Sequence, residues 1–190
     1  MKSIVYIVSG IDKALAFEWI SNAINHSKYR LSFILLNKSD SFLECFLKSK
    51  KIQVFRVYCH GKKSGIYALW RTYRILRNIK PEIVHCHLWE ANIIGLTAAK
   101  LAGVKKRIYT RHHSDYHHVY HPQGLKWDML ANRMATKIVS ISEIVTSILI
   151  RNEKVVEKKI VHIPHGFCID YFEKVELERI ESFRKKHQIF

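Results

Sequence analysis

Seven of the twelve histidines in this chain fall in two short stretches, His85-Cys86-His87 and His112 to His121. Imidazole in such density has two chemical uses. As a metal site, His85 and His87 would share one face of a strand, and two of His112, His113, His117, His118 and His121 would complete a tetrahedral set. As a hydrogen-bonding surface, the same rings would meet backbone groups or the hydroxyls of a ligand, which is the commoner use of histidine at strand ends. The second use is the expectation here, with no metal.

Other polar residues fall just after apolar runs: Ser9-Gly10, Asn37, Cys59-His60, Glu90, Arg111, Ser140 to Glu143, and His165-Gly166. Gly10 could let backbone approach a phosphate, yet its loop is not GxGxxG, and no GxxxxGK[ST] occurs in the chain. A nicotinamide dehydrogenase and a P-loop NTPase therefore lose their main support. No pair of carboxylates stands at suitable strand ends to serve as the acid and nucleophile of a glycoside hydrolase.

These residues need a scaffold, and the apolar runs supply it. They are Ile4 to Val8, Leu31 to Leu36, Ile52 to Val57, Ile83 to His87, Arg107 to Thr110, Lys137 to Ile141 and Ile160 to Ile163. Most are apolar at nearly every position, the pattern of strands buried on both faces of a parallel sheet. Stretches of helical spacing separate them, at about 13–26, 39–48, 64–79, 90–102, 124–135 and 142–151, with Ser39 and Ser142 as N-caps and Gly103 as a C-terminal stop. The fold class is α/β, a three-layer doubly wound parallel sheet, and in such sheets ligands bind outside the carboxyl ends of the strands. Residues 112–121 read as an irregular loop, and Val175 to His187 as a charged terminal helix.

The 190 residues carry 32 Lys+Arg against 16 Asp+Glu, a formal charge of +16. This length buries about 70% of its unfolded surface without metals or disulfides. The four cysteines are scattered with no CxxC pair, which suits reduced thiols. No apolar run reaches the roughly 18 residues of a membrane span, and the first run is too short for a secretory signal, so a cytosolic place is expected. The positive field favours anionic partners without choosing among them. One segment is more pointed. In the helix from Ser64, Arg71, Arg74 and Arg77 share an arc opposite Leu69, Tyr73, Leu76 and Ile79, with Trp70 at the border, a pattern that fits an ordinary surface helix and also suits contact with an anionic membrane surface. No nucleic-acid-binding module is recognisable, and none is expected as a partner.

Four segments together carry a resemblance: Lys80-Pro-Glu-Ile-Val-His-Cys-His87, Tyr109-Thr-Arg-His112, Ile138-Val-Ser-Ile-Ser-Glu143, and Ile160-Val-His-Ile-Pro-His-Gly-Phe167 with Ile169 to Phe172. In order and spacing the chain resembles the N-terminal domain of family 4 retaining glycosyltransferases, the first Rossmann-like half of a GT-B fold. The resemblance implies transfer of a sugar from a nucleotide-diphosphate donor to an acceptor hydroxyl, on a glycan or a lipid-linked carrier, with no cofactor. It implies that His112 contacts the transferred sugar, with His113 as the alternative register, and that Gly10 lies near the donor diphosphate. His87, Arg111, Ser142, Glu143, His165 and Gly166 would fall around donor or acceptor. The first loop lacks the double glycine common in the family, and His165-Gly166 stands where Asn-Gly is usual. Residues 1–170 would form the acceptor-side domain, and 171–190 the crossover toward a nucleotide-binding second domain, in the same protein or in a partner chain. Alone, the chain would be inactive or nearly so. The rival readings are a noncatalytic membrane-docking module that recruits a catalytic partner, and a zinc hydrolase built on the His-rich loop.

Overall fold

The computed structural model describes residues 1–173 and 176–189. Seven strands form one sheet: β1 Lys2–Ser9, β2 Tyr29–Asn37, β3 Gln53–Tyr58, β4 Ile83–His87, β5 Lys106–Arg111, β6 Lys137–Ser140 and β7 Ile160–His162. Every pairing is parallel, in the order β3-β2-β1-β4-β5-β6-β7. The strands are buried as their composition requires. Phe33, Ile34, Leu35 and Leu36 are successive residues of β2, and each is 1% exposed or less.

The helices are α1 Leu15–Ala23, α2 Phe42–Ser49, α3 Gly65–Ile79, α4 Trp89–Leu101, α5 Tyr116–Val119, α6 Pro122–Met134, α7 Glu143–Arg151, α8 Ile169–Glu173 and α9 Leu177–His187. Val175, where the sequence starts its terminal helix, lies outside the described residues, as does Phe190. The cap of α2 is Ser41 rather than Ser39: the Ser41 hydroxyl accepts from the Glu44 amide. Ser142 caps α7 as expected, accepting from the Val145 amide. Gly103 closes α4, its amide donating to the Lys100 carbonyl while Val104 donates to Ala99. Residues 112–121 are not wholly irregular, since they contain the turn of helix α5.

Right-handed crossovers decide which face each helix covers. The chain moves one way across the sheet from β1 to β3, so α1 and α2 lie on one face, where Phe17, Leu43 and Leu47 pack on Leu31, Phe33 and Leu35. It then moves the other way from β3 to β7. Helices α3, α4, α6 and α7 therefore cover the opposite face, where Ala68, Leu76, Leu96, Ala131 and Leu149 pack on Val5, Ile7, Cys86, Tyr109 and Ile138. Layer by layer, the first face is covered over β3, β2 and β1 and is left without a helix from that set over β4 to β6.

Candidate functional site

The reversal of strand order falls between β1 and β4, the position at which open α/β sheets hold their ligands. A cleft of about 920 Å³ opens there, on the face that α1 and α2 leave bare. Its floor is Tyr6, His85, His87, Thr110 and Val139, its α1 wall includes Phe17 and Trp19, and its far wall is Ile163 to Cys168. Register explains the floor. Val8 pairs with His87, His87 with Thr110 and Thr110 with Val139, so these residues share one side of the sheet and His85 lies two positions back on the same side.

Four imidazoles run from this floor to the far wall. His85 and His87 have ring centroids 4.2 Å apart, His87 Nδ1 lies 3.4 Å from His112 Nε2, and His112 stacks on His165 at 5.5 Å. His85 Nε2 is 2.9 Å from the Thr110 hydroxyl, while Tyr6 and Phe17 press on the His87 ring edge and face. Burial pushes His85 down to about 4, helped by the charge His112 would carry. His112 is likewise pushed down to about 4 by burial and then by His165. His87 is held well below the usual histidine range, again chiefly by burial. No carboxylate pairs with any of these rings among the described residues. At neutral pH the three rings are uncharged, each offering one donor and one acceptor. That chemistry suits hydroxyl groups better than phosphates. His87 Nε2 is buried and has no protein partner among the described residues.

The rim is held by side chains rather than by a glycine-rich loop. Asn37, buried at the end of β2, accepts from the Ile11 amide and donates to the Ile11 carbonyl, fixing the turn after β1. Gly10 takes φ +59° in that turn, with open space where a Cβ would stand. The Ser9 hydroxyl donates to Glu90 and accepts from the Ala91 amide, which ties the start of α4 to the end of β1. Leu88, between β4 and α4, has φ 73° and ψ 166°, a region nearly reserved for glycine that costs a leucine about 1–3 kcal/mol. It lines the cleft. Nothing in the sequence signals Leu88, because a leucine argues against that backbone. Tyr6 and Thr110 could have been found by alternation from His85 and His87.

Several expected site residues lie elsewhere. Arg111 is 2% exposed and points away from the cleft, because it follows Thr110 on the strand and alternation turns it to the opposite face. Its guanidinium pairs with Asp128 at 2.9 Å and Glu153 at 2.6 Å, and also donates to the His113 carbonyl. His113 sits on that same side, pushed down to about 3 by burial and by Arg111. The structure thus separates the two registers: His112 lines the cleft and His113 does not. Asp128 also accepts from His117 Nδ1 at 2.6 Å, Glu153 contacts His118 at 3.2 Å, and Asn132 bridges Glu153 to Tyr109. Ligand atoms of His113, His117 and Asp128 come within 4.8 Å of one another, close enough for a metal. The Asp128 oxygen that holds His117 is already shared with Arg111, which makes the group an ion-pair network first. Gly10, Ser142 and Glu143 lie at the carboxyl edge of the sheet but outside the cleft lining, and the Ser142 hydroxyl is engaged in its cap. His165 and Gly166 are in the lining. Trp70, Arg71, Arg74 and Arg77 are exposed on α3, away from the cleft.

Comparison with known proteins agrees with this architecture. The sequence pattern of Glycosyltransferase Family 4 matches residues 28–171. Among solved structures, Anabaena Alr3699/HepE in complex with UDP-glucose is similar with a TM-score of 0.74 and 17% identity, over 99% of this chain and 50% of that one. The lipopolysaccharide outer core galactosyltransferase WaaB in its apo form gives 0.65 and 17%, over 88% and 46%. UDP-GlcNAc 2-epimerase from Methanocaldococcus jannaschii gives 0.67 and 14%, over 97% and 52%. The chain spans about half the length of the solved proteins it matches, and at these identities the likeness speaks to fold alone. A search of the curated proteins finds no match.

Proposed function

The chain belongs to glycosyltransferase family 4, and from that premise we propose that it forms the acceptor-side half of a retaining sugar transferase. Residues 1–170 serve as this half, and 171–190 as a crossover toward a nucleotide-binding domain. The donor is a nucleotide-diphosphate sugar, as the UDP-glucose bound by the Anabaena relative suggests; the acceptor is a hydroxyl of a glycan or of a lipid-linked carrier.

One observation carries this reading: a row of imidazoles at the switch point, His85, His87 and His112, uncharged at neutral pH, continued by His165 in the far wall. Sugar recognition needs neutral donors and acceptors closely spaced, and catalysis needs them fixed before the reaction. His112, between His87 and His165 in the row, hydrogen-bonds the transferred sugar. His87 Nδ1 fixes which nitrogen His112 turns toward the cleft. In the reaction the acceptor oxygen bonds to the anomeric carbon as the bond from that carbon to the diphosphate breaks. Both events use the same face of the sugar, and the acceptor proton passes to the departing diphosphate oxygen. No Lys or Arg lines the cleft among the described residues, so the diphosphate contacts fall to the second domain.

The test assembles the chain with a nucleotide-binding half and measures transfer from nucleotide-diphosphate sugars to glycan and lipid-linked acceptors. His112→Ala lowers kcat by about 100-fold, the scale of one lost preorganised donor, while His113→Ala changes it little. Full turnover in His112→Ala would overturn the assignment.

A further inference from the structure

The outer face of α3 takes no part in the cleft. From Gly61 to Lys80 the sequence has six basic residues, Lys62, Lys63, Arg71, Arg74, Arg77 and Lys80, and no Asp or Glu. At 100° per residue Ile66, Arg77, Trp70, Arg74, Tyr67 and Arg71 succeed one another around the helix within an arc of about 140°. Ile66 is 82% exposed, Tyr67 50% and Trp70 49%. The Arg74 guanidinium lies over the Trp70 ring at 5.1 Å. None of the three arginines pairs with a carboxylate among the described residues. The inward side, Ala68, Thr72 and Leu76, is fully packed, so the helix is anchored and its apolar outer residues have no structural duty in the fold.

We propose that this face docks the protein on an anionic phospholipid bilayer. Cations alone would serve any polyanion. The combination with a bulky aliphatic residue and two aromatic rings on the same arc is what selects a lipid interface, where rings settle at headgroup depth while guanidiniums reach phosphates. Arginine already stacked on tryptophan can keep that contact while it binds phosphate. Helix α3 begins after the carboxyl end of β3. Its first turn, with Ile66 and Tyr67, therefore stands at the sheet edge on which the cleft opens. The inference does not depend on the sugar-transfer reading.

The experiment is sedimentation of the full chain with vesicles containing about one-third phosphatidylglycerol in phosphatidylcholine, against pure phosphatidylcholine. Binding to the anionic vesicles is expected, with none to the neutral ones, and it weakens as salt is raised. Each arginine near the surface is worth about fivefold in affinity, so Arg71→Ala/Arg74→Ala/Arg77→Ala loses of order 100-fold. Lys100→Ala/Lys105→Ala/Lys106→Ala removes equal charge elsewhere and should bind nearly as the parent does. Trp70→Ala, with charge unchanged, should also weaken binding. Equal losses in the two triple variants would mean diffuse attraction and overturn the proposal. Full binding by the arginine triple variant would do the same, as would single-stranded RNA displacing the vesicles through the same residues.

Discussion

Two groups of histidine, joined by the neighbours His112 and His113, are treated oppositely by this fold. From the cleft floor to its far wall, His85, His87, His112 and His165 meet one another, Thr110 and aromatic rings, with no carboxylate among the described residues. On the other side of the sheet, His113, His117 and His118 surround Arg111, Asp128 and Glu153, where each charge has a partner. In the first group burial keeps His85, His87 and His112 neutral and leaves His87 Nε2 unpartnered beside the cleft; the second spends its hydrogen bonds mainly on Arg111, Asp128 and Glu153 and, among the described residues, leaves over only the buried His113 Nδ1, away from the cleft. A residue's type does not tell which of these it will become. Spare capacity facing a cleft is what a ligand can use, and saturated capacity holds the fold.

The comparison can be broken hardest at Arg111. Arg111→Ala leaves Asp128 and Glu153 buried without their cation and should cost about 3–5 kcal/mol in urea unfolding. A loss below about 1 kcal/mol would mean that the internal network is not the structural one. On the cleft side, His112→Ala should leave unfolding nearly unchanged while costing the assembled enzyme about 100-fold in turnover. A variant that fails in stability and not in transfer would reverse the two roles.

Acid sharpens the contrast. His85 and His112 sit at about 4 in the folded chain, below the unfolded value near 6.5. Between those values the unfolded chain binds more protons, so stability rises with pH across the window and is lost as pH falls through it. The slope approaches about 1.4 kcal/mol per pH unit for each such group. Chemical unfolding from pH 7 to pH 4 should show it, and His85→Gln should flatten it; an unchanged profile would mean that His85 is not held neutral. The smallest effect concerns Leu88. Its backbone favours glycine, so Leu88→Gly should be more stable than Leu88→Ala by about 1 kcal/mol or more, the reverse of the usual order. The reverse result would mean the turn relaxes freely.

Much of the scaffold was legible along the chain. The seven strands lie where the apolar runs predict, because strands buried on both faces cannot tolerate polar alternation. Ser142 and Gly103 were readable because capping is chemistry between near neighbours. Helix α2 misled by two residues, since Ser39 and Ser41 are both competent caps and the choice depends on how the preceding loop closes. In the loop there, the Phe42 amide donates to Asp12, thirty positions upstream.

The candidate site was legible in composition and not in arrangement. Arg111 and His113 look as available in the sequence as His112 does, yet a strand alternates, so their placement follows from which partner residues lie across the pairing and which helix covers each face. The carboxylates that claim Arg111 are 17 and 42 positions away, in α6 and beyond α7.

Local pattern in the sequence therefore determined the elements, the parallel sheet, the edge at which polar residues gather and the family. Only the tertiary structure decided which of those residues face open space, because charge compensation, bare sheet and strained backbone at Leu88 are set by distant segments meeting. Burial, which keeps His85, His87 and His112 neutral, is a property of that meeting and of no residue alone.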